Sequence, residues 1–366
     1  MLGVDVRLWD DVRESERSFP LLAQRTREKW GTSCPTIAYM CASNWNAVPP
    51  GGTMAVSGSD VLAVKPTGNF AFVMNVGKLE QASFALAPGH ELRRANSEET
   101  SVIQGKVRQL ASNSEFMVMP WEQGHDQSGR SVRLPKEEWR YFVIAFEGTN
   151  QTVAGLEEAF TLAPLELKIA FTIVEQGAAL LMHAERLFLQ FEEARWGHLQ
   201  FLSVGEPDVS EIVEIYGQLQ RHAHPSIDIR RFTRELLQLD GIPRRSPLLF
   251  LGYFSLLESL LTHQPDPKDP MDSITRQVKS KVALLERRFK YPIDYGPFGG
   301  ANSETVWTRM YDYRSRLAHG DVPDFDGKLA VLQSHPDALR LVKQTVRAVL
   351  RQALVEPQLL ADLRSC

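Results

Sequence analysis

The spacing of apolar positions changes character part-way along the chain. Up to about residue 204 the apolar stretches are short and either alternate with polar residues or form brief runs, which is the pattern of strands. Candidate strands are Thr36 to Cys41, Thr53 to Val56, Val61 to Val64, Asn69 to Val76, Phe116 to Met119, Tyr141 to Phe146, Glu166 to Val174 and His198 to Val204. Pro49-Pro50-Gly51-Gly52 and Ser57-Gly58-Ser59-Asp60 supply turns between the early ones, so an antiparallel sheet is expected. The clearest alternation sets Leu167, Ile169, Phe171 and Ile173 against Lys168, Ala170 and Thr172. Ser97 to Leu110 reads as a short helix, Trp121 to Glu138 as a long polar loop, and Ala178 to Glu193 fits either helix or strand. Asp208 is placed to cap a helix running through Leu219, with Ile212, Ile215, Tyr216 and Leu219 on one side. Residues 1 to about 35 show no clean period, and Pro20 interrupts any helix there.

From Ser226 onward every long segment has a helical period. Candidate helices cover Asp228 to Leu239, Pro247 to His263, Ser273 to Lys290, Ser303 to Ala318 and Phe325 to Val355, the last broken near Pro336. Gln264 to Asp272 and Pro292 to Ala301 are polar, Pro-rich or Gly-rich surface connections. The switch predicts an α+β protein with a boundary at His224-Pro225. A β-rich domain with some helices, residues 1–225, precedes an all-helical bundle, residues 226–366.

The 366 residues suffice for two cores, and 43% hydrophobic with 23% charged residues is an ordinary globular composition. A net charge of -4 makes the whole molecule unattractive to phosphate, so any nucleic-acid partner has to be read from local charge. Cys34, Cys41 and Cys366 match neither a zinc spacing nor a disulfide framework, which fits a reducing compartment. The first residues carry acids where a signal peptide needs a basic start, and the apolar run Pro247 to Leu261 is too short to span a bilayer and contains Glu258. A cytoplasmic location without a membrane span is expected. No P-loop, G-x-G-x-x-G, G-x-S-x-G or H-E-x-x-H pattern occurs, so no cofactor is expected. His222 and His224 have no Cys or clustered acids nearby and read as turn histidines rather than metal ligands.

Local charge does change the picture near the C-terminus. Val306, Met310, Tyr313 and Leu317 recur at i, i+4, i+7 and i+11, one helix face, while Arg309, Arg314 and Arg316 lie off it. Gly320 stands where a left-handed residue ends a helix, with Pro323 beyond, so His319 belongs at the helix C-terminus. Arginine and histidine there also oppose the negative end of the helix dipole, a purely structural role. Glu258 lies in a helix apolar on most faces and needs a partner unless it reaches solvent along a narrow polar edge. Within one predicted helix Arg276, Lys279, Lys281, Arg287, Arg288 and Lys290 outnumber a single acid, Glu286, and Ile274, Val278, Val282 and Leu285 supply the buried stripe. Those bases could track an RNA backbone, Arg316 adding to them, or form a solvated face.

The string Tyr-x-x-Arg-Ser-x-x-x-His-Gly, with Arg314 and His319 in an R-x4-H pattern, resembles the signature of HEPN domains, particularly the Apea-like branch. The resemblance covers residues 226 to 355. It implies a small helical bundle, with a pair of chains placing Arg314 and His319 at their interface. Many members are metal-independent ribonucleases and others are non-catalytic, so it implies either an RNA-cleaving homodimer of the kind used in antiphage defence or toxin systems, or a scaffold for dimerisation or for binding nucleotide or protein. The early-helix acid of the family falls on Glu258, expected to pair with Arg314 or Arg316 and hold the guanidinium. Residues 1–225 would sense an unidentified trigger. Catalytic members often carry Asn, Asp or His after the arginine where this chain has Ser315, and Asp321 stands where a subset of toxins carries a modifiable tyrosine.

Overall fold

A computed structural model describes residues 68–110, 119–147, 150–174, 179–181, 200–222, 227–265, 268–269 and 273–365. All of these belong to one compact unit. The strands expected at Thr36 to Cys41, Thr53 to Val56 and Val61 to Val64 lie outside the described residues, as do all but Met119 of the one expected at Phe116 and most of Ala178 to Glu193.

The architecture is α+β. The strands are β1 (Asn69–Val73), β2 (Val76–Leu79), β3 (Ser83–Ala87), β4 (His90–Arg94), β5 (Gln123–His125), β6 (Ser131–Arg133), β7 (Phe142–Phe146), β8 (Ile169–Val174), β9 (Ala179–Leu181) and β10 (Leu202–Val204). The helices are α1 (Ser97–Leu110), α2 (Gln151–Leu162), α3 (Glu206–Arg221), α4 (Ile229–Leu239), α5 (Pro247–Leu261), α6 (Ile274–Glu286), α7 (Ser303–His319), α8 (His335–Val355) and α9 (Pro357–Ser365). A six-stranded sheet runs β3-β4-β7-β1-β8-β9, antiparallel at every pairing.

The central strand β1 is apolar at nearly every position because both faces of the sheet are covered. Phe72 stands opposite Val143 and Phe171, and all three pack with Ile103 and Val107 of α1 and with Trp121. Ala71 and Val73, one step out of phase, face the other way with Ile144 and Phe142 into a core shared with Phe160 of α2, Leu257 of α5 and Met310 of α7. That core draws on residues from both sides of position 225.

Several expectations are corrected. The single strand expected from Asn69 to Val76 is broken at Met74-Asn75, where the Asn75 side chain donates to the Glu166 carbonyl at 2.8 Å and accepts from the Lys168 amide at 2.8 Å. The chain then leaves the sheet, and β2 pairs in parallel with β10. Asp208 is not the cap of α3. It sits in the first turn beside Pro207, and its carboxylate accepts from the Gly205 amide at 2.9 Å.

The expected long polar loop is anchored by residues pointing inward. Trp121 is fully buried and donates to the Met74 carbonyl at 2.6 Å. Buried Glu122 accepts from Gln104, Tyr141 and Arg133 at 2.6, 2.8 and 2.7 Å, so its charge is satisfied despite burial. The β3–β4 hairpin and the helices α2 and α9 were not foreseen.

Ionic contacts tie α2 to the C-terminal helices. Glu158 of α2 is buried between Arg230 at 2.9 Å and Arg234 at 2.8 Å, both on α4. Arg347 and Arg351, one turn apart on α8, donate to the Ala163 and Leu162 carbonyls that α2 leaves free at its end. Lys343, one turn earlier, bridges Glu166 at 3.0 Å and the α4 cap residue Asp240 at 3.3 Å. Each of these carboxylates has a cation within 3.3 Å, and Arg347 and Arg351 donate to main-chain carbonyls, which makes the burial tolerable.

Candidate functional site: the C-terminal turn of α7

Helix α7 is held at both ends and along one face. The Asn302 side chain accepts from the Thr305 amide at 2.8 Å to start it. Trp307 donates to the Tyr295 hydroxyl at 2.8 Å, and that hydroxyl donates to Glu286, whose carboxyl burial pushes up. Val306, Met310 and Tyr313 are buried, as the apolar spacing predicts. At the far end Gly320 takes φ +79°, its amide donates to the Leu317 carbonyl at 3.2 Å, and the Asp321 amide donates to the Arg316 carbonyl at 2.9 Å. These two bonds close a Schellman motif and fix the backbone of His319.

Tyr313 locks the helix to its neighbours. Its ring packs 4.6 Å from that of Phe250 on α5, and its hydroxyl lies 2.6 Å from Nδ1 of His335, the first residue of α8. His335 Nε2 is 3.0 Å from the Arg244 carbonyl. A carbonyl only accepts, which assigns the proton to Nε2, so Nδ1 accepts from the tyrosine. Burial pushes the Tyr313 hydroxyl up to about 12.

Glu258 of α5 reaches Arg314: Nη2 donates to Oε2 at 3.2 Å. Of the two arginines expected as its partner, the structure selects Arg314. The Glu258 side chain keeps 14% of its exposure, and Oε1 is buried without a hydrogen-bond partner. Burial raises the Glu258 carboxyl, and Arg314 opposes that rise. The Arg314 guanidinium stands 6.0 Å from the Tyr311 ring centre.

His319 is exposed and makes no hydrogen bond or ion pair among the described residues. Five residues on a helix turn it by about 140° and advance it by about 7.5 Å, so Arg314 and His319 leave α7 in different directions. Arg314 turns inward toward α5. One chain therefore offers an anchored guanidinium and a free imidazole that do not share a face.

The basic stretch on α6 is less open than its composition suggests. Lys281 does not belong to a solvent face: it is 7% exposed, with Nζ 3.5 Å from Gln277 Oε1. Lys279 pairs with Glu304 at 3.1 Å, Arg288 with Glu356 at 2.9 Å and Lys290 with Glu211 at 3.4 Å. Their acids come from α7, the α8–α9 junction and α3, out of reach of any sequence window. Arg276 and Arg287 are exposed and Arg316 is half-buried, none with an ion pair among the described residues.

A shallow groove between α3, α8 and residues 289–291 is lined by Glu211, Ile215, Phe289, Tyr291, Arg351 and Val355. Of the residues singled out from sequence it includes Lys290 of the basic run and Ile215 of the α3 stripe, but not Arg314, His319 or Glu258. His222 Nε2 lies 3.4 Å from the Ile227 carbonyl, and His224 is outside the described residues. Among the described residues no group of three or more His, Cys, Asp or Glu is placed to hold a metal ion, and no helix is long and apolar enough to cross a membrane.

No family model, curated protein or solved structure matches the chain.

Proposed function

We propose that the chain is a metal-independent endoribonuclease working as a cytoplasmic homodimer, of the kind used in antiphage defence or toxin systems, with its site built from Arg314 and His319 of two copies. The observation that carries this reading is the division of labour on α7: a guanidinium steadied by Glu258 and an exposed imidazole on a backbone fixed by Gly320. Cleavage has the RNA 2'-hydroxyl lose its proton to a base, attack phosphorus and expel the 5'-oxygen, which takes a proton from an acid. Histidine serves either role near neutral pH, and an arginine fork suits the charge gathering on phosphate oxygens. One imidazole cannot do both at once. Two copies related by a two-fold axis supply two. In this reading residues 1–225 restrain the site until a trigger acts on them.

Purified protein incubated with total RNA and a chelator, beside His319→Ala, tests it. Cleavage by the wild type and loss of about 10²–10⁴-fold in the variant are expected. Equal activity in both, or none in either, overturns the reading. The second reading is a non-catalytic HEPN-like scaffold, favoured by the fact that Arg314 is already neutralised by Glu258 and that Lys279, Arg288 and Lys290 are ion-paired. It predicts pairing of chains without RNA cleavage.

A further inference from the structure

The six-stranded sheet ends at β3, and among the described residues nothing bonds to the outer edge of that strand. In an antiparallel strand every second residue turns its N–H and C=O away from its neighbour. Bonded to β4 on one side, β3 therefore offers a row of donors and acceptors on the other. Natural edges are blunted by lysine, proline or inward-pointing charge. From Gln81 to Ala87 no side chain is charged and none is proline, and the protective device present is a bulge, where the register with β4 shifts between Ala85 and Ala87. The two faces of the strand differ. Phe84 and Leu86 are buried on the side where α3 packs, whereas Ala85 on the opposite face is exposed and small enough to leave room for a larger neighbour.

We propose that the outer edge of β3 docks an extended peptide segment of another protein, which joins the sheet as one more strand and carries apolar side chains at alternate positions. Main-chain hydrogen bonds hold the segment. Its apolar side chains extend the layer formed by Phe84 and Leu86, and its other side chains pass beside Ala85. A second copy of this chain is a poorer occupant. The bulge leaves Ser83 to Ala85 as the regular stretch, so two rigid β3 edges meet over that short stretch alone, whereas a free peptide bends to follow the bulge. The inference goes beyond the proposed function and depends neither on RNA cleavage nor on the pairing of chains.

The intact chain is titrated with a fluorescent peptide of alternating valine and threonine, bearing a lysine at each end for solubility. Binding is read by polarisation, and the bound region by hydrogen–deuterium exchange. Saturable binding is expected, with protection gained at Ser83 to Ala87, a segment in which about half of the amides exchange freely in the chain alone. Two control peptides separate backbone pairing from apolar contact, one N-methylated at its valines and the other at its threonines. Residues of one parity turn their amides to the neighbouring strand, so one control is expected to bind at least about tenfold more weakly and the other as well as the parent. Because the chain itself is unaltered, no result can be put down to a variant that fails to fold. Equal binding by the two controls, binding without protection at Ser83 to Ala87, or no binding up to about 1 mM peptide each overturn the site. Full protection of that segment in the chain alone overturns it too, because the chain or its own copy then already covers the edge.

Discussion

Arg314 holds Glu258 by one oxygen only: Nη2 donates to Oε2 at 3.2 Å while Oε1 stays buried and unpaired. The carboxyl is raised by burial, against the pull of Arg314, so its contribution to stability is present at low pH and is lost as pH rises through the raised value. Glu258→Gln keeps the shape and removes the charge. The stability of the wild type relative to this variant should therefore be greater at pH 4 than at pH 7, as measured by urea unfolding at both. A difference that grows with pH would contradict the burial account. The variant should also reduce RNA cleavage, since Arg314 loses its counter-charge.

Lys343 and Glu166 behave in the opposite sense. Burial by itself would raise the Glu166 carboxyl, but Lys343, Arg347 and Lys168 outweigh it and bring it down to about 2. Its stabilisation is present above the ordinary glutamate value of 4.5 and is lost as pH falls toward about 2. Glu166→Gln should flatten that acid limb. Lys343→Met should destabilise toward the lower end of about 3–5 kcal/mol, because the side chain keeps 22% of its exposure. Urea titrations across pH 2–7 read both.

Gln333 adopts φ 61° and ψ -59°, and the Ser334 amide donates across it to the Leu332 carbonyl at 2.6 Å. This is the rare positive-φ γ-turn, which strains any side chain. Gln333→Gly is expected to stabilise by about 1 kcal/mol net of the entropy glycine adds to the unfolded chain. A lowered denaturation midpoint would show that the turn carries no strain.

Trp121 should behave as core although it begins a polar stretch. Trp121→Ala is expected to cost about 3–5 kcal/mol. Trp121→Phe keeps the packing on Phe72 and loses the bond to the Met74 carbonyl, for about 1–3 kcal/mol. Near-equal costs for the two in chemical denaturation would assign the whole effect to the hydrogen bond.

What could be read from the sequence is what neighbours along the chain decide. The span of α7, its stripe of Val306, Met310 and Tyr313, and the left-handed Gly320 all follow from contacts within a turn or two of helix, and α1 and most of α4 to α6 are legible for the same reason. The sequence also required that Glu258 either find a partner or reach solvent, because a carboxylate in an apolar helix cannot be buried unmatched, and the resemblance put that partner at Arg314 or Arg316. Only the tertiary structure could choose Arg314, bury Lys281 within a basic run, turn Trp121 inward, or join Glu166 to Lys343 across 177 positions. Those outcomes depend on which distant segments come within a few ångströms, and neither the periodicity nor the charge of a local window carries that distance.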